Sequence, residues 1–332
     1  GKMEQLSFID AEYESRKRIP KREKFLAQMD AIVPWKDWCA IIEPHYPKKG
    51  NGRPPRELEQ VLRMYMLQVW FNLSDEATED AIYDSYAMKR FMRMNFTNES
   101  APDSTTLGNF RHLMEENDLS EKIFADVNER LDRAGLLMHG GTIVDATIIS
   151  APSSTKNAGK ERDPEMHSTK KGNQWYFGMK IHAGVDAGSG YVHTITATAA
   201  NASDISEAHN LIREDDAVVY GDSGYLGLEK RKEIKEDEQL RQAEYRICRR
   251  PSQSRIAPEY EGENWDKIIE HQKSSVRCKV EHPFLIVKRQ FGYCKAAYKG
   301  LKKNLSRFFL LFTSANLLMC LRAGMQEEFC AA

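Results

Sequence analysis

The chain has 332 residues, of which 41% are apolar and 29% charged, and its formal net charge is −1. That composition excludes a chain too polar to fold, predicts one large core or two modest ones, and gives no global sign of a polyanionic partner. Six cysteines without a C-x-x-C pair exclude a structural zinc site of the usual spacing and predict reduced thiols, and the 9 histidines are too dispersed to assign a role.

Residues 11 to 24 carry Arg16, Lys17, Arg18, Lys21, Arg22 and Lys24, which suit either a basic arm or a solvated first helix. The loop composition of PKKGNGRPP, Pro47 to Pro55, precedes a helical pattern from Arg56 to about Asn72, continued from Asp75 to Met94. Asp103 is placed to cap the next helix, and Leu119 to Ala134 supplies another, so residues 1–135 read as an all-helical region. At Gly141 the pattern changes. GTIVDATIIS has the β-branched residues of a strand covered on both faces, and the polar stretch from Ser153 to Asn173 reads as a long loop. YFGMKIHAGVD and YVHTITATAAN flank a turn at 187–190 and predict a β-hairpin. A helix around Asp204 to Arg213 leads to the short strand VVYGD, and residues 227–264 read as a short insertion holding a helix, a strand at Tyr245 to Cys248 and a polar loop. A long helix from about Trp265 to Phe291 follows, which Pro283 should kink. The apolar run from Phe308 to Cys320 contains Thr313, Ser314 and Asn316 and falls short of the roughly 20 residues of a membrane span, so it predicts a buried helix. The opening GKMEQ does not resemble a signal peptide, and no membrane partner is expected. The order strand, hairpin, helix, strand, helix is that of a ribonuclease-H-like core: a mixed α/β sheet flanked by helices, residues 136–332, behind the helical N-terminal region.

Asp145 stands inside an apolar strand, where an unpaired ionised carboxylate costs several kcal/mol, so something must compensate it. Asp222 ends a second apolar strand before a Gly turn, as a site residue or as a turn cap. Between His271 and Arg307 there are ten Lys or Arg and one acid, Glu281, which predicts a polyanion-binding surface around a single carboxylate. At about 100° per residue Arg277, Glu281 and Lys288 project within roughly 40° of one another, although an Arg277–Glu281 surface pair at i, i+4 would explain two of them. Three hard oxygen ligands suit two Mg2+ or Mn2+ ions, with Arg277 and Lys288 holding phosphates beside them.

On PKKGNGRPP, PDSTTLGNFRHLMEEN, VDATIISAPSSTKN, RDPEMHSTKKGNQWYFGMKIHAGVD, TAANASD, YGDSGYLG and VRCKVEHPFLIVKRQFGYCKA, the sequence resembles the DDE transposases of bacterial insertion sequences, in particular the insertion sequence 5 family. The resemblance covers nearly the whole chain. It implies that Asp145, Asp222 and Glu281 are the catalytic triad and that Arg277 and Lys288 belong to a wider Tyr-Arg-Glu-Lys signature, in which Ser274 replaces the Tyr. It further implies hydrolytic nicking at terminal inverted repeats, attack of the freed 3′-hydroxyl on target DNA, a homodimer on the DNA, and a cytoplasmic location at the nucleoid. Lys170, Lys171, Arg249, Arg250, Lys302 and Lys303 are candidate phosphate contacts, and Trp175 either stacks on a base or packs structurally. A haloacid-dehalogenase-type phosphatase would need a second Asp where Thr147 stands. A non-catalytic DNA-binding derivative is the other alternative, against which the presence of all three acids argues.

Overall fold

The computed structural model of the chain describes residues 18–50, 54–249 and 265–332. Helices α1 (Lys21–Ile32), α2 (Trp35–Ile42), α3 (Leu58–Phe71), α4 (Asp75–Asp84), α5 (Tyr86–Phe91), α6 (Ser104–Glu116) and α7 (Leu119–Arg133) form the expected helical region. Residues 11–17 of the basic stretch lie outside the described residues, while Lys21, Arg22 and Lys24 sit on the exposed face of α1. The expected helix from Asp75 to Met94 is two helices. Ser85 adopts an extended conformation and accepts a hydrogen bond from the Met88 N–H at 3.4 Å, which ends one helix and caps the next. Asp103 caps α6 through the Thr106 N–H at 2.7 Å, as the sequence predicts. Every residue of α3 from Gln60 to Trp70 is buried, with Trp70 packed edge-on against Phe25 and Phe91, so α3 is the hub of this region.

Strands β1 (Thr142–Ser150), β2 (His167–Lys171), β3 (Gln174–Asp186), β4 (Val192–Ala199), β5 (Val218–Gly221) and β6 (Glu244–Ile247) form one mixed sheet, ordered β2-β3-β1-β5-β6 with β4 also paired to β3. The β3–β4 hairpin is as predicted. The long loop predicted from Ser153 to Asn173 is corrected at its end, because β2 pairs antiparallel with the start of β3 around the turn at Gly172 and Asn173. Both faces of that hairpin are largely exposed, so it lacks the polar–apolar alternation by which a strand is read from sequence. Backbone fit ties β1 to its neighbours: a Cβ at Gly141 would meet the Val218 carbonyl oxygen at 2.3 Å, and one at Gly178 the Ile149 oxygen at 2.0 Å.

Alternate residues of β1 serve two cores. Ile143 and Ile149 join the large cluster shared with the helical region, and Val144 joins Val219, Tyr225 and Leu228 on the opposite face, over helix α8 (Asp204–Glu207) and the 3-10 turn Ala208–Leu211. The expected helix from Asp204 to Arg213 is thus shorter, and helix α9 (Lys232–Glu236) and β6 occupy the predicted insertion.

The expected single helix from Trp265 to Phe291 follows one path in four pieces: α10 (Trp265–Arg277), a 3-10 turn at Cys278–Val280, α11 (Glu281–Leu285) and a π-helical turn at Ile286–Gln290. Pro283 has no N–H for the carbonyl one turn before it, which accounts for an interruption on that side. Helix α12 (Leu301–Arg322) is long and apolar enough to cross a membrane, but 83% of its apolar window is buried within the protein, as the reading of Phe308 to Cys320 predicts. It binds sheet and helices alike: Asn316 bridges the N–H and carbonyl of Val192 at 2.9 and 2.8 Å, and Ser314 accepts from the Trp70 indole at 2.9 Å. Helix α13 (Gln326–Ala331) ends the chain described.

Candidate active site

Two strand ends build the site. In the parallel β1–β5 pair, Thr142 is level with Val219 and Ile143 with Tyr220, so continuing the register brings Asp145 level with Asp222 and onto the same face. No pairing extends past Ile143. The two strands part there, so Asp145 and Asp222 stand at the carboxyl end of the parallel ladder, where sites in open α/β sheets form. Asp222 also does what a strand-end Asp does structurally, accepting the Gly224 N–H at 2.8 Å to cap the turn Ser223–Tyr225.

The Asp145 carboxylate is poorly compensated. One oxygen accepts the adjacent Ala146 N–H at 2.7 Å, and the other lies 3.8 Å from the Arg277 guanidinium, beyond hydrogen-bonding distance. Its pKa is pushed up to about 6, chiefly by burial and then by the charges of Asp222 and Asp204, against which Ala146 and Arg277 act. Arg277 is shared, since its other nitrogen reaches Glu281 at 3.3 Å. The pieces of the irregular helix direct Arg277 and Lys288 toward β1, where Lys288 donates to the Thr147 hydroxyl and the Ile148 carbonyl, while the half-exposed Glu281 meets the site through Arg277. Burial at that spot lowers the Lys288 pKa.

The transposase DDE domain model matches residues 137–317, and the transposase domain (DUF772) model matches residues 13–113. The chain belongs to the DDE transposase family. No solved structure matches it. Transposase domains act on DNA in transposition, and DDE domains typically use divalent metals. Among the described residues no three His, Cys, Asp or Glu side chains form a ready-made metal-binding group. The residues nonetheless fit a cation: Asp145 and Asp222 present hard oxygens with a deficit of positive charge, and Glu281 is parted from Asp145 by one guanidinium.

The transposase distributes its other candidate residues unevenly. Lys170 and Lys171 lie on β2, with Lys170 opposite Trp175, whose side chain is 67% exposed and so has no packing role. Arg249 lies beside Glu270, which also pairs with Lys273 at 3.0 Å. Arg250 lies outside the described residues. Lys302 and Lys303 are exposed at the start of α12, where Lys302 pairs with Asp118 of the helical region at 3.1 Å. Ser274 is exposed on α10. The count of ten cations needs one correction: Arg307 is buried between the rings of Tyr65 and Tyr298, at 5.5 and 5.3 Å, and is no part of a DNA-binding surface. Sequence reasoning passed over Asp204, Lys180 and Tyr225, although TAANASD and YGDSGYLG contain the first and last of them. Their signal is spatial, since the turn bearing Tyr225 packs on α8, headed by Asp204.

Proposed function

We propose that this transposase is a member of the insertion sequence 5 family that cleaves the terminal inverted repeats of its element and joins the 3′-hydroxyl ends to target DNA. Asp145, Asp222 and Glu281 would hold two Mg2+ or Mn2+ ions. Bound there, such ions would activate the attacking oxygen and stabilise the leaving one in an in-line displacement. The observation that carries this reading is the level placement of Asp145 and Asp222 where β1 and β5 part, with Asp145 left short of donors and Glu281 held alongside by Arg277.

The chain's own residues have complementary tasks. Arg277 exchanges its carboxylates for a phosphate, presenting a planar fork, and Lys288 supplies a point charge from beside Thr147. The β2–β3 arm offers Lys170 and Lys171 to the backbone and the exposed Trp175 to a base. Arg249, Arg250, Lys302 and Lys303 would extend the phosphate track. Residues 1–135 would bind the repeats or a second protomer in a homodimer on the DNA, and residues 136–332 would be the catalytic domain, a division supported by family matches that end at 113 and begin at 137. The expected location is the cytoplasm, at the nucleoid. One observation favours a non-catalytic DNA-binding protein: Arg277 already partly neutralises Asp145 and Glu281.

The deciding experiment incubates labelled terminal-repeat DNA with the full chain, with and without Mg2+, beside Glu281→Gln. Expected are Mg2+-dependent cleavage by wild type and a loss of orders of magnitude in Glu281→Gln, whose metal-free DNA binding is unchanged or tighter because a charge that repels phosphate has gone. Cleavage by Glu281→Gln at the wild-type rate would reduce Glu281 to a partner of Arg277.

A further inference from the structure

Helix α1 places Lys21, Lys24 and Gln28 along one stripe, at i, i+3 and i+7, with Phe25 between them at i+4. Phe25 packs against Trp70, Phe71 and Phe291, with ring centroids 5.5, 5.9 and 6.4 Å apart, so the stripe is anchored on the core while its two lysines stay exposed. Between this stripe, the end of α12 and the π-helical turn Ile286–Gln290 lies a cleft of about 220 Å³, with Phe25 and the buried Leu318 in its lining. That is space for about seven waters, enough for a hydrated phosphate group.

The cleft collects positive charge and no acid lines it, for beside the α1 stripe it holds Gln290 and Arg322. Glu23, the acid of the same turn of α1, projects about 200° around the helix from Lys21. Several exposed cations elsewhere are matched, Arg93 by Asp30, Lys232 by Glu236 and Lys302 by Asp118. Among the described residues Lys21, Lys24 and Arg322 have no such partner. Arg322 instead donates to the Gln290 side-chain oxygen at 2.6 Å, which orients the guanidinium without neutralising it. Arg22 flanks the group, held over the ring of Phe71 at 5.3 Å. In a chain with 48 basic and 49 acidic residues, a concave group of three unmatched cations is a local excess that favours a polyanion. The π-helical turn carries Lys288 to Thr147 and Gln290 to Arg322, so one turn serves the carboxylate strand and, two residues on, this cleft. We propose that the cleft binds the phosphodiester backbone of duplex DNA, independently of base sequence and of metal. Its cations lie outside both the His271–Arg307 segment and the β2–β3 arm.

This inference rests on the reading of the chain as a DNA-binding protein, and its test separates the two. A labelled duplex of arbitrary sequence is titrated with the full chain in chelator, at salt from 50 to 200 mM, and followed by fluorescence anisotropy. Wild type is compared with the triple variant Lys21→Gln, Lys24→Gln, Arg322→Gln, and with a control that loses as many exposed cations beside the small core, Lys230→Gln, Lys232→Gln, Lys235→Gln. The slope of log affinity against log salt should flatten by about 2–3 in the cleft variant, at about 0.9 per phosphate released, and stay as in wild type in the control. Gln28→Glu, an exposed change that removes no contact of the core, should weaken binding at 50 mM salt about fivefold by placing one like charge close to the phosphate. A cleft variant with the wild-type slope, or a control that flattens the slope equally, overturns the cleft as the site, as does wild-type affinity in Gln28→Glu. Wild-type protein that binds no duplex even at 50 mM salt overturns the DNA reading itself.

Discussion

The two ends of the β1–β5 pair carry buried carboxylates under opposite regimes. At the start of the strands, Asp186 and Asp216 have fully buried side chains, and each of their four oxygens has a donor: Arg213 lies across both at 2.9 Å, Ser189 and the Met138 N–H serve Asp186, and the Arg213 N–H and Thr142 hydroxyl serve Asp216. Burial alone would raise the Asp186 pKa, but the Ser189 and Arg213 hydrogen bonds reverse it and hold the carboxyl below its usual range. At the other end, about three residues along, Asp145 has one N–H and a distant guanidinium, and its pKa goes up. Burial is common to both ends; the supply of donors differs. The closed end holds the strands together, and the open end keeps an excess of negative charge that a cation would offset.

The largest expected effect breaks the closed end. Arg213→Met leaves two buried carboxylates facing one another, and removing one partner of a buried pair costs about 3–5 kcal/mol. Urea denaturation at pH 7 should show a loss of that size. A loss below about 1 kcal/mol would mean that the network is as loosely compensated as Asp145, and the contrast between the ends would be gone.

The open end should respond with the opposite sign. A carboxyl whose pKa is raised from about 3.9 unfolded to about 6 folded costs nothing below pH 4 and its full penalty above pH 6, up to about 3 kcal/mol. Asp145→Asn should therefore stabilise the metal-free protein at pH 7 by up to about 3 kcal/mol, with the gain vanishing near pH 4, while abolishing cleavage. Chelator-treated protein in which Asp145→Asn is less stable than wild type at pH 7 would show Asp145 to be structural.

The contrast also explains what the sequence could and could not disclose. Asp145, Asp222 and Glu281 were legible because each breaks its local pattern: an acid in an apolar strand, an acid at a strand end, a lone acid among cations. The hub helix and the β3–β4 hairpin were legible from their periodicities. The closed network was not, because its members run from Met138 to Asp216 and meet through the bulge between Gly184 and Val185 and the approach of Gly141 to Val218. Arg307 was misread for a related reason: local charge density does not reveal that α12 turns one of its cations inward onto two tyrosine rings. The β2 strand escaped because a projecting hairpin has no buried face to write an alternation into its sequence.

The smallest expected effect sharpens the comparison through His193, which joins the closed end from β4. Its Nε2 lies 2.8 Å from the Thr142 hydroxyl and its Nδ1 2.8 Å from that of Thr194. The Thr142 proton is directed to Asp216, so the Thr142 oxygen must accept from His193, which fixes a neutral ring with the proton on Nε2. Burial, and then Arg213, push the His193 pKa down to about 3, against the opposing charge of Asp186. A folded pKa below the unfolded value of about 6.5 leaves stability untouched above pH 6.5 and erodes it as pH falls toward 3, because only the unfolded chain takes the proton. Between pH 7 and pH 5 that loss amounts to about 2 kcal/mol. The half-exposed His139, whose pKa is raised by Asp132 and Asp215, works in the opposite direction, and it does so equally in both proteins compared. His193→Gln retains a donor for Thr142 without titrating. Urea curves at pH 7, 6 and 5 should therefore show wild type losing about 2 kcal/mol more than His193→Gln over that interval, whereas parallel losses would mean that the closed end admits the proton.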